Sequence, residues 1–197
     1  MKLILASNNA NKLREFREMT SGMDIELISQ KEAGCNFEVE ETGTTFEENA
    51  YLKAVAVTKF TGLPAVADDS GIEVDALGGR PGVYSARYAA DIVNSDAEKN
   101  DYLLNEIGDN PNRNARYVCS MCCTFPNGDR ITSRGECEGE VYGPQLGNGG
   151  FGYDPIFTPK GYEKRMAELT PDEKNAISHR GKAMRAFVSE LEEYLKK

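Results

Sequence analysis

The stretch Ala67-Asp68-Asp69-Ser70-Gly71 decides how the chain is read. Ahead of it, Leu63 to Ala67 is a short apolar piece with the form of a buried strand. Behind it, Ile72, Val74 and Ala76 alternate with Glu73 and Asp75, the period of a half-buried strand. The spacing predicts two adjacent carboxylates where a strand ends, and strand ends are where open α/β sheets form ligand crevices. Neighbouring residues on a strand point to opposite faces. Only one of Asp68 and Asp69 is therefore expected to face a given site, with the other holding backbone or a nearby cation. Asp, Ser and Gly also favour turns, so a plain solvated turn stands as the other reading.

Bulk properties narrow the classes around that stretch. The chain has 197 residues, 40% of them hydrophobic and 28% charged, which suits one globular domain over 1–197 with a substantial core. Its formal net charge of -9 argues against sequence-independent binding to a nucleic acid polymer, which needs clustered Lys and Arg. A polyphosphate ligand would need local cations to overcome that field. Met1-Lys2 leads into only a short apolar run, Leu3 to Ala6, and no stretch approaches membrane-spanning length. The expectation is a cytoplasmic protein with no membrane partner. Five cysteines, an odd number, argue against a disulfide framework. Cys119-x-x-Cys122 lies in an alternating strand pattern without a second Cys or His pair, so buried reduced thiols are expected rather than a zinc or redox centre.

Read from the start, Lys2 to Ala6 predicts a buried first strand. The polar loop Ser7-Asn8-Asn9-Ala10-Asn11-Lys12 then opens a helix carrying Leu13, Phe16 and Arg17 at i, i+3 and i+4. A strand running through such a loop into a helix offers backbone N–H groups, a helix N-terminus and the Lys12 ammonium to an anion. An ordinary N-cap accounts for the same residues. This loop carries neither a Walker A nor a G-x-G-x-x-G pattern. Asp24 to Ser29 predicts a second strand, and residues 31–43 an acidic loop with Glu38, Glu40 and Glu41. Thr45-Phe46-Glu47-Glu48 has capping-box form. It starts a helix to about Thr61 with Phe46, Ala50, Ala54, Val57 and Phe60 inward, on which Lys53 alone reads as a surface residue.

Further on, Ser95 with Glu98 caps a helix ending near Ile107. Residues 114–125 and 129–142 predict a long hairpin around Pro126-Asn127-Gly128. Gly147-Asn148-Gly149-Gly150-Phe151-Gly152-Tyr153-Asp154 sets two aromatics and an acid among glycines. Such a loop can lay a ring against a flat ligand, or be a structural loop with Phe151 and Tyr153 in the core. Thr170-Pro171-Asp172-Glu173 starts another helix, and Lys174, His179 and Arg180 bring three donors into one segment. Early alternation of strands and helices with a late hairpin suggests an α/β fold with a mixed sheet in one domain, with two lobes around a cleft.

Four of these features occur together and in order: Ser7-x-Asn9-x-x-Lys12, Ala67-Asp68-Asp69-Ser70-Gly71, Gly150-Phe151-Gly152-Tyr153-Asp154-Pro155, and Ser178-His179-Arg180 preceded by Lys174. The set resembles the inosine triphosphate pyrophosphatase family over almost the whole chain. Asn8 stands where many members carry Gly. The resemblance implies a mixed twisted α/β sheet flanked by helices, with two lobes around a nucleotide cleft. It implies a Mg²⁺-dependent homodimeric hydrolase that converts ITP, dITP, XTP or dXTP to the monophosphate and pyrophosphate. By the same resemblance, Asp69 is the proton acceptor and a metal ligand, and Glu40 the other metal-binding acid. Ser7, Asn8, Asn9, Ala10, Asn11, Lys12, Lys53 and Lys174 are triphosphate contacts with Ser70 nearby, and Phe151, Gly152, Tyr153, Asp154, His179 and Arg180 form the base pocket.

Overall fold

The computed structural model describes residues 1–196, with the side chain of Asn11 outside the described residues. Among the described residues are five α-helices and six strands, which alternate early and end in three successive strands and two helices. They are β1 (Lys2–Leu5), α1 (Ala10–Met19), β2 (Glu26–Ser29), α2 (Phe46–Thr61), β3 (Ala65–Val74), α3 (Asp96–Ile107), β4 (Asn114–Thr124), β5 (Arg130–Val141), β6 (Phe157–Pro159), α4 (Pro171–Ile177) and α5 (His179–Leu195). The strands form one sheet in the order β2-β1-β3-β4-β5-β6. It is mixed: β1 runs parallel to β2 and β3, whereas β5 and β6 are antiparallel. The predicted α/β class and mixed sheet are therefore what the chain adopts.

The chain divides into two compact units. One holds Met1–Asp69, Cys119–Gly135 and Lys182–Lys197, the other Ser70–Val118 and Glu136–Gly181. In the first unit β1 is buried on both faces, and its residues sort with period two. Leu3 and Leu5 join Phe16 of α1 and Met184, Phe187 and Leu191 of α5. Ile4 and Ala6 join Ala54 and Val57 of α2 with Ala65 and Ala67 of β3. In the second unit Ile72 and Val74 of β3 pack with Leu103 and Ile107 of α3, Tyr117 of β4, Val141 of β5, and Ile156 and Phe157.

Two expectations change. β3 continues through Val74, so Asp68 and Asp69 lie in mid-strand rather than at a strand end or in a turn. The acids fit there because each finds cationic or amide donors, and Gly71 is required by close packing. A Cβ on Gly71 would come within 2.4 Å of Ser85 Oγ and 2.5 Å of the Gly82 carbonyl oxygen. Phe60, expected inward on α2, is exposed, its ring meeting Phe37 edge-on at 5.3 Å. The capping box itself forms at α2, with Thr45 accepting from the Glu48 N–H and Gly62 closing the helix in the left-handed region. All five cysteines are buried. Burial pushes the Cys122 thiol up to about 11 and that of Cys123 further, away from thiolate chemistry.

Candidate functional site

In the first unit the chemistry gathers on Asp68 and Asp69. Asp68, its side chain 2% exposed, accepts two hydrogen bonds from Lys12 Nζ, at 2.7 Å and 2.9 Å. Lys12 stands in the first turn of α1, and the loop ahead of it braces itself. Asn9 N–H donates to Ser7 Oγ at 3.2 Å, and Asn9 Oδ1 accepts from the Lys12 N–H at 3.2 Å, the bond of a helix cap. Asn8 Oδ1 accepts from the Lys31 N–H at 3.1 Å, so its side chain ties this loop to the segment after β2. Asn8, Asn9 and Ala10 are exposed, and Ser7 is half-buried. Asn11, expected to contact the triphosphate, has its side chain outside the described residues.

Asp69 is gripped by α2. Asn49 Nδ2 donates to Asp69 Oδ2 at 3.1 Å, and Lys53 Nζ to Oδ1 at 3.3 Å. Asn49 and Lys53 are four residues apart, one helical turn, and so share a face. Lys53 is therefore a site residue, its side chain only 19% exposed. Its ammonium also donates to Glu41 Oε1 at 2.7 Å. Burial drives the Asp69 carboxyl above its ordinary value; Lys53 and Asn49 pull the other way but do not cancel it. Burial disfavours the Lys53 ammonium too, but two carboxylates, Asp69 and Glu41, outweigh it and hold its pKa above the usual lysine value. One cation is thus shared between two acids, which leaves Asp69 under-neutralised.

The acidic loop reaches this place through Gly43. Its N–H donates to Asn49 Oδ1 at 2.8 Å. A Cβ at Gly43 would come within 2.6 Å of that oxygen and 2.7 Å of Glu48 Cβ. Of the two acids Glu40 and Glu41, it is Glu41 that meets Lys53, and Glu40 is exposed. The sequence does not mark Asn49, and marks Glu41 only as one acid of the loop beside Glu40. The signal for Asn49 was its place one turn before Lys53 on a helix, and for Glu41 its adjacency to Glu40.

The second unit holds a different arrangement, centred on buried Asp154. Tyr117 Oη donates to Asp154 Oδ1 at 3.1 Å. Asp154 Oδ2 accepts from the Phe151 N–H at 3.0 Å and from Lys174 Nζ. Gly150, with φ of +72°, makes room: a Cβ there would lie 2.0 Å from Asp154 Oδ2. Phe151 is exposed, with Lys174 Nζ 4.8 Å and the Arg180 guanidinium carbon 5.8 Å from its ring centre. The His179 imidazole stacks on Tyr117 at 4.7 Å with 9° between the planes. Tyr153 instead belongs to the core, its hydroxyl donating to the Ser85 carbonyl at 2.9 Å. The loop is tethered to α3: Gly152 N–H donates to Asp96 Oδ2 at 2.9 Å, and Asn100 Nδ2 donates to the Gly152 carbonyl at 3.0 Å. Lys174, expected at the triphosphate, thus keeps company with Phe151 and Asp154. Ser70, the first residue of this unit on β3, is half-buried.

Among the described residues, no group of three or more His, Cys, Asp or Glu side chains is arranged to hold a metal ion. Asp69 and Glu41, both within hydrogen-bonding reach of one ammonium, are a two-carboxylate oxygen set. That set suits Mg²⁺, which characteristically takes one or two carboxylates and completes its shell with waters and substrate phosphates.

The chain is similar to known proteins over its full length. A dITP/XTP pyrophosphatase from an Exiguobacterium species is 46% identical over 197 residues, covering 100% of both chains. The solved structure of the Staphylococcus aureus Ham1 protein superposes with a TM-score of 0.92 at 40% identity, covering 98% of this chain and 100% of that one. A nucleoside-triphosphatase / dITP/XTP pyrophosphatase from Mycobacterium abscessus does so with a TM-score of 0.82 at 43% identity, covering 94% and 97%. The model of the Ham1 family matches residues 3–190, and the chain belongs to that family.

Proposed function

We propose that the chain is a nucleoside triphosphate pyrophosphatase that hydrolyses dITP, ITP, XTP and dXTP to the monophosphate and pyrophosphate. The observation that carries this reading is Asp69: a buried carboxylate, under-neutralised, held in place by Asn49 and Lys53 with a second acid alongside. The names of the relatives and their full-length similarity support it.

Asp69 takes the proton of a water that attacks the α-phosphorus. The α–β anhydride bond breaks and pyrophosphate leaves. Asp69, with Glu41 or Glu40 from the acidic loop, would hold Mg²⁺, which when bound would supply neutralisation of phosphate charge. Lys12 and Lys53, each paired with acids here, would turn to the pyrophosphate oxygens when substrate and Mg²⁺ are bound. Ser7 to Lys12 offer the exposed start of α1 to phosphate oxygens.

The cluster around Phe151 takes the purine. The ring stacks on Phe151, and donors from Lys174, His179 and Arg180 serve a 6-oxo group. Adenine would present a donor there and leave them unmatched. Asp154 is engaged by Tyr117, Phe151 and Lys174, which supports the reading that it offers no acceptor to the 2-amino group of guanine. The whole chain acts as one catalytic domain, as a homodimer in the cytoplasm; no helix among the described residues is long and apolar enough to cross a membrane.

The test is a panel of ITP, dITP, XTP, GTP and ATP with Mg²⁺, reading pyrophosphate and monophosphate. Release of pyrophosphate from dITP and XTP far faster than from GTP and ATP is expected. Equal rates on GTP would overturn the specificity, and release of single phosphates would overturn the reaction.

A further inference from the structure

We propose, on the reading of the Phe151 cluster as the base site, that Tyr117 is a positioning residue for nucleotide recognition, acting through the Asp154 carboxylate. Tyr117 stands on β4, a rigid element, and its ring is fixed on two sides. Phe157 meets it edge-on at 4.7 Å, and His179 lies flat against it at 4.7 Å. The ring alone would satisfy that packing, and phenylalanine would serve. The hydroxyl does something further: it donates to Asp154 Oδ1 and so fixes the rotation of that carboxylate. With Oδ1 held, Oδ2 is aimed at the Phe151 N–H and at Lys174.

The loop from Gly147 to Gly152 needs such an anchor. Its glycines at 147, 150 and 152 all have positive φ, so the chain here has little intrinsic preference for one path. Phe151 is exposed and cannot hold itself by burial. Tyr117 passes the rigidity of the strand through Asp154 to the ring and to the ammonium that face the ligand. A site placed on a loop gains precision when its supporting contacts come from a sheet. The same tyrosine orients the His179 imidazole by stacking. One buried residue thereby supports three of the side chains expected to meet the base.

Three variants test this: Tyr117→Phe, Asp154→Asn and the double variant, compared with wild type in steady-state hydrolysis of dITP. Tyr117→Phe keeps both ring contacts and removes only the hydroxyl. It is expected to raise KM about tenfold, the effect of losing a hydrogen bond to a charged acceptor, with kcat within about twofold. Asp154→Asn is expected to raise KM at least as much, and the double variant no more than Asp154→Asn alone. Thermal unfolding of Tyr117→Phe checks that the variant is folded. A KM within about twofold of wild type for Tyr117→Phe overturns the proposal, as does a fall in kcat with KM unchanged, which marks loss of active protein. An undiminished Tyr117→Phe effect in the Asp154→Asn background overturns the route through Asp154. An Asp154→Asn variant with wild-type KM sinks the base-site reading itself. A raised KM there beside a silent Tyr117→Phe sinks only the role of Tyr117.

Discussion

The two units each place one buried aspartate at the centre of a polar cluster, and they use it in opposite ways. Asp69 lies on a strand and is approached from a helix, with an amide and an ammonium for partners. That ammonium is shared with Glu41, and burial leaves the Asp69 carboxyl above its ordinary pKa. Asp154 lies on a glycine-rich loop and meets three donors: a phenol, a backbone N–H and an ammonium. A carboxylate left short of positive charge is suited to take a proton or bind a cation. A carboxylate surrounded by donors is suited to hold other groups still. The difference between chemistry and scaffolding is visible in how well each acid is satisfied.

Exchanging each acid for its amide is the most severe test of that contrast. Asp69→Asn removes the proton acceptor and is expected to lower kcat by about 10²–10⁴-fold while dITP still binds. Rapid-quench measurement of product together with equilibrium binding of dITP separates the two effects. Asp154→Asn acts on KM instead. If both variants lost kcat alike, the two aspartates would not differ in role and the comparison would break.

Next in size comes the exposed ring. Phe151→Ala removes the stacking surface, with an expected rise in KM of about tenfold or more, since base–aromatic stacking contributes about 1–3 kcal/mol. Phe151→Trp keeps a flat face and should restore most of the affinity. Because Phe151 is exposed, thermal unfolding of Phe151→Ala should match wild type. A large loss of stability would show that the ring serves the fold rather than the ligand.

How far these clusters could be read beforehand depended on range. Local chemistry was legible: the capping boxes at Thr45 and Thr170, the glycine after α2 and the hairpin turn all follow from neighbours within a few residues. The buried course of β1 was legible for the same reason. The unbroken course of β3 was not, because Asp-Asp-Ser-Gly looks like a turn until Lys12, Asn49 and Lys53 are brought to it across 16 to 56 residues of sequence. Lys53 read as a surface residue for want of those acids. Tyr117 gave no local hint of its partner, which lies 37 residues away on a loop. The exposure of Phe60 has a similar cause, as its neighbour Phe37 comes from the acidic loop. Motif resemblance supplies the candidate residues, but only the folded contacts show that Glu41 is the acid paired with Lys53, and that Phe151 lies at the surface and Tyr153 in the core.

The smallest expected effect concerns the tether that holds the Phe151 loop to α3. Asp96 accepts from Lys99 Nζ at 2.8 Å and from the Gly152 N–H at 2.9 Å. The Lys99 bond, and after it the Gly152 bond, hold the Asp96 carboxyl below its ordinary value against the opposing pull of burial. A folded-state pKa lowered in this way favours folding when the carboxyl is charged in both states. That contribution is full above the unfolded value of 3.8 and disappears as pH falls through the lower folded value. Asp96→Asn should therefore unfold at lower urea concentration than wild type at neutral pH, and the gap should close as pH falls below 3.8. Asp96 is largely exposed and the pair is screened by solvent, so the neutral-pH difference should stay below about 1 kcal/mol. A gap that persists at low pH would mean that the tether depends on geometry, not charge. The second unit would then owe its rigidity to neutral hydrogen bonds such as the one from Asn100, and the contrast with the ionic grip on Asp69 would sharpen.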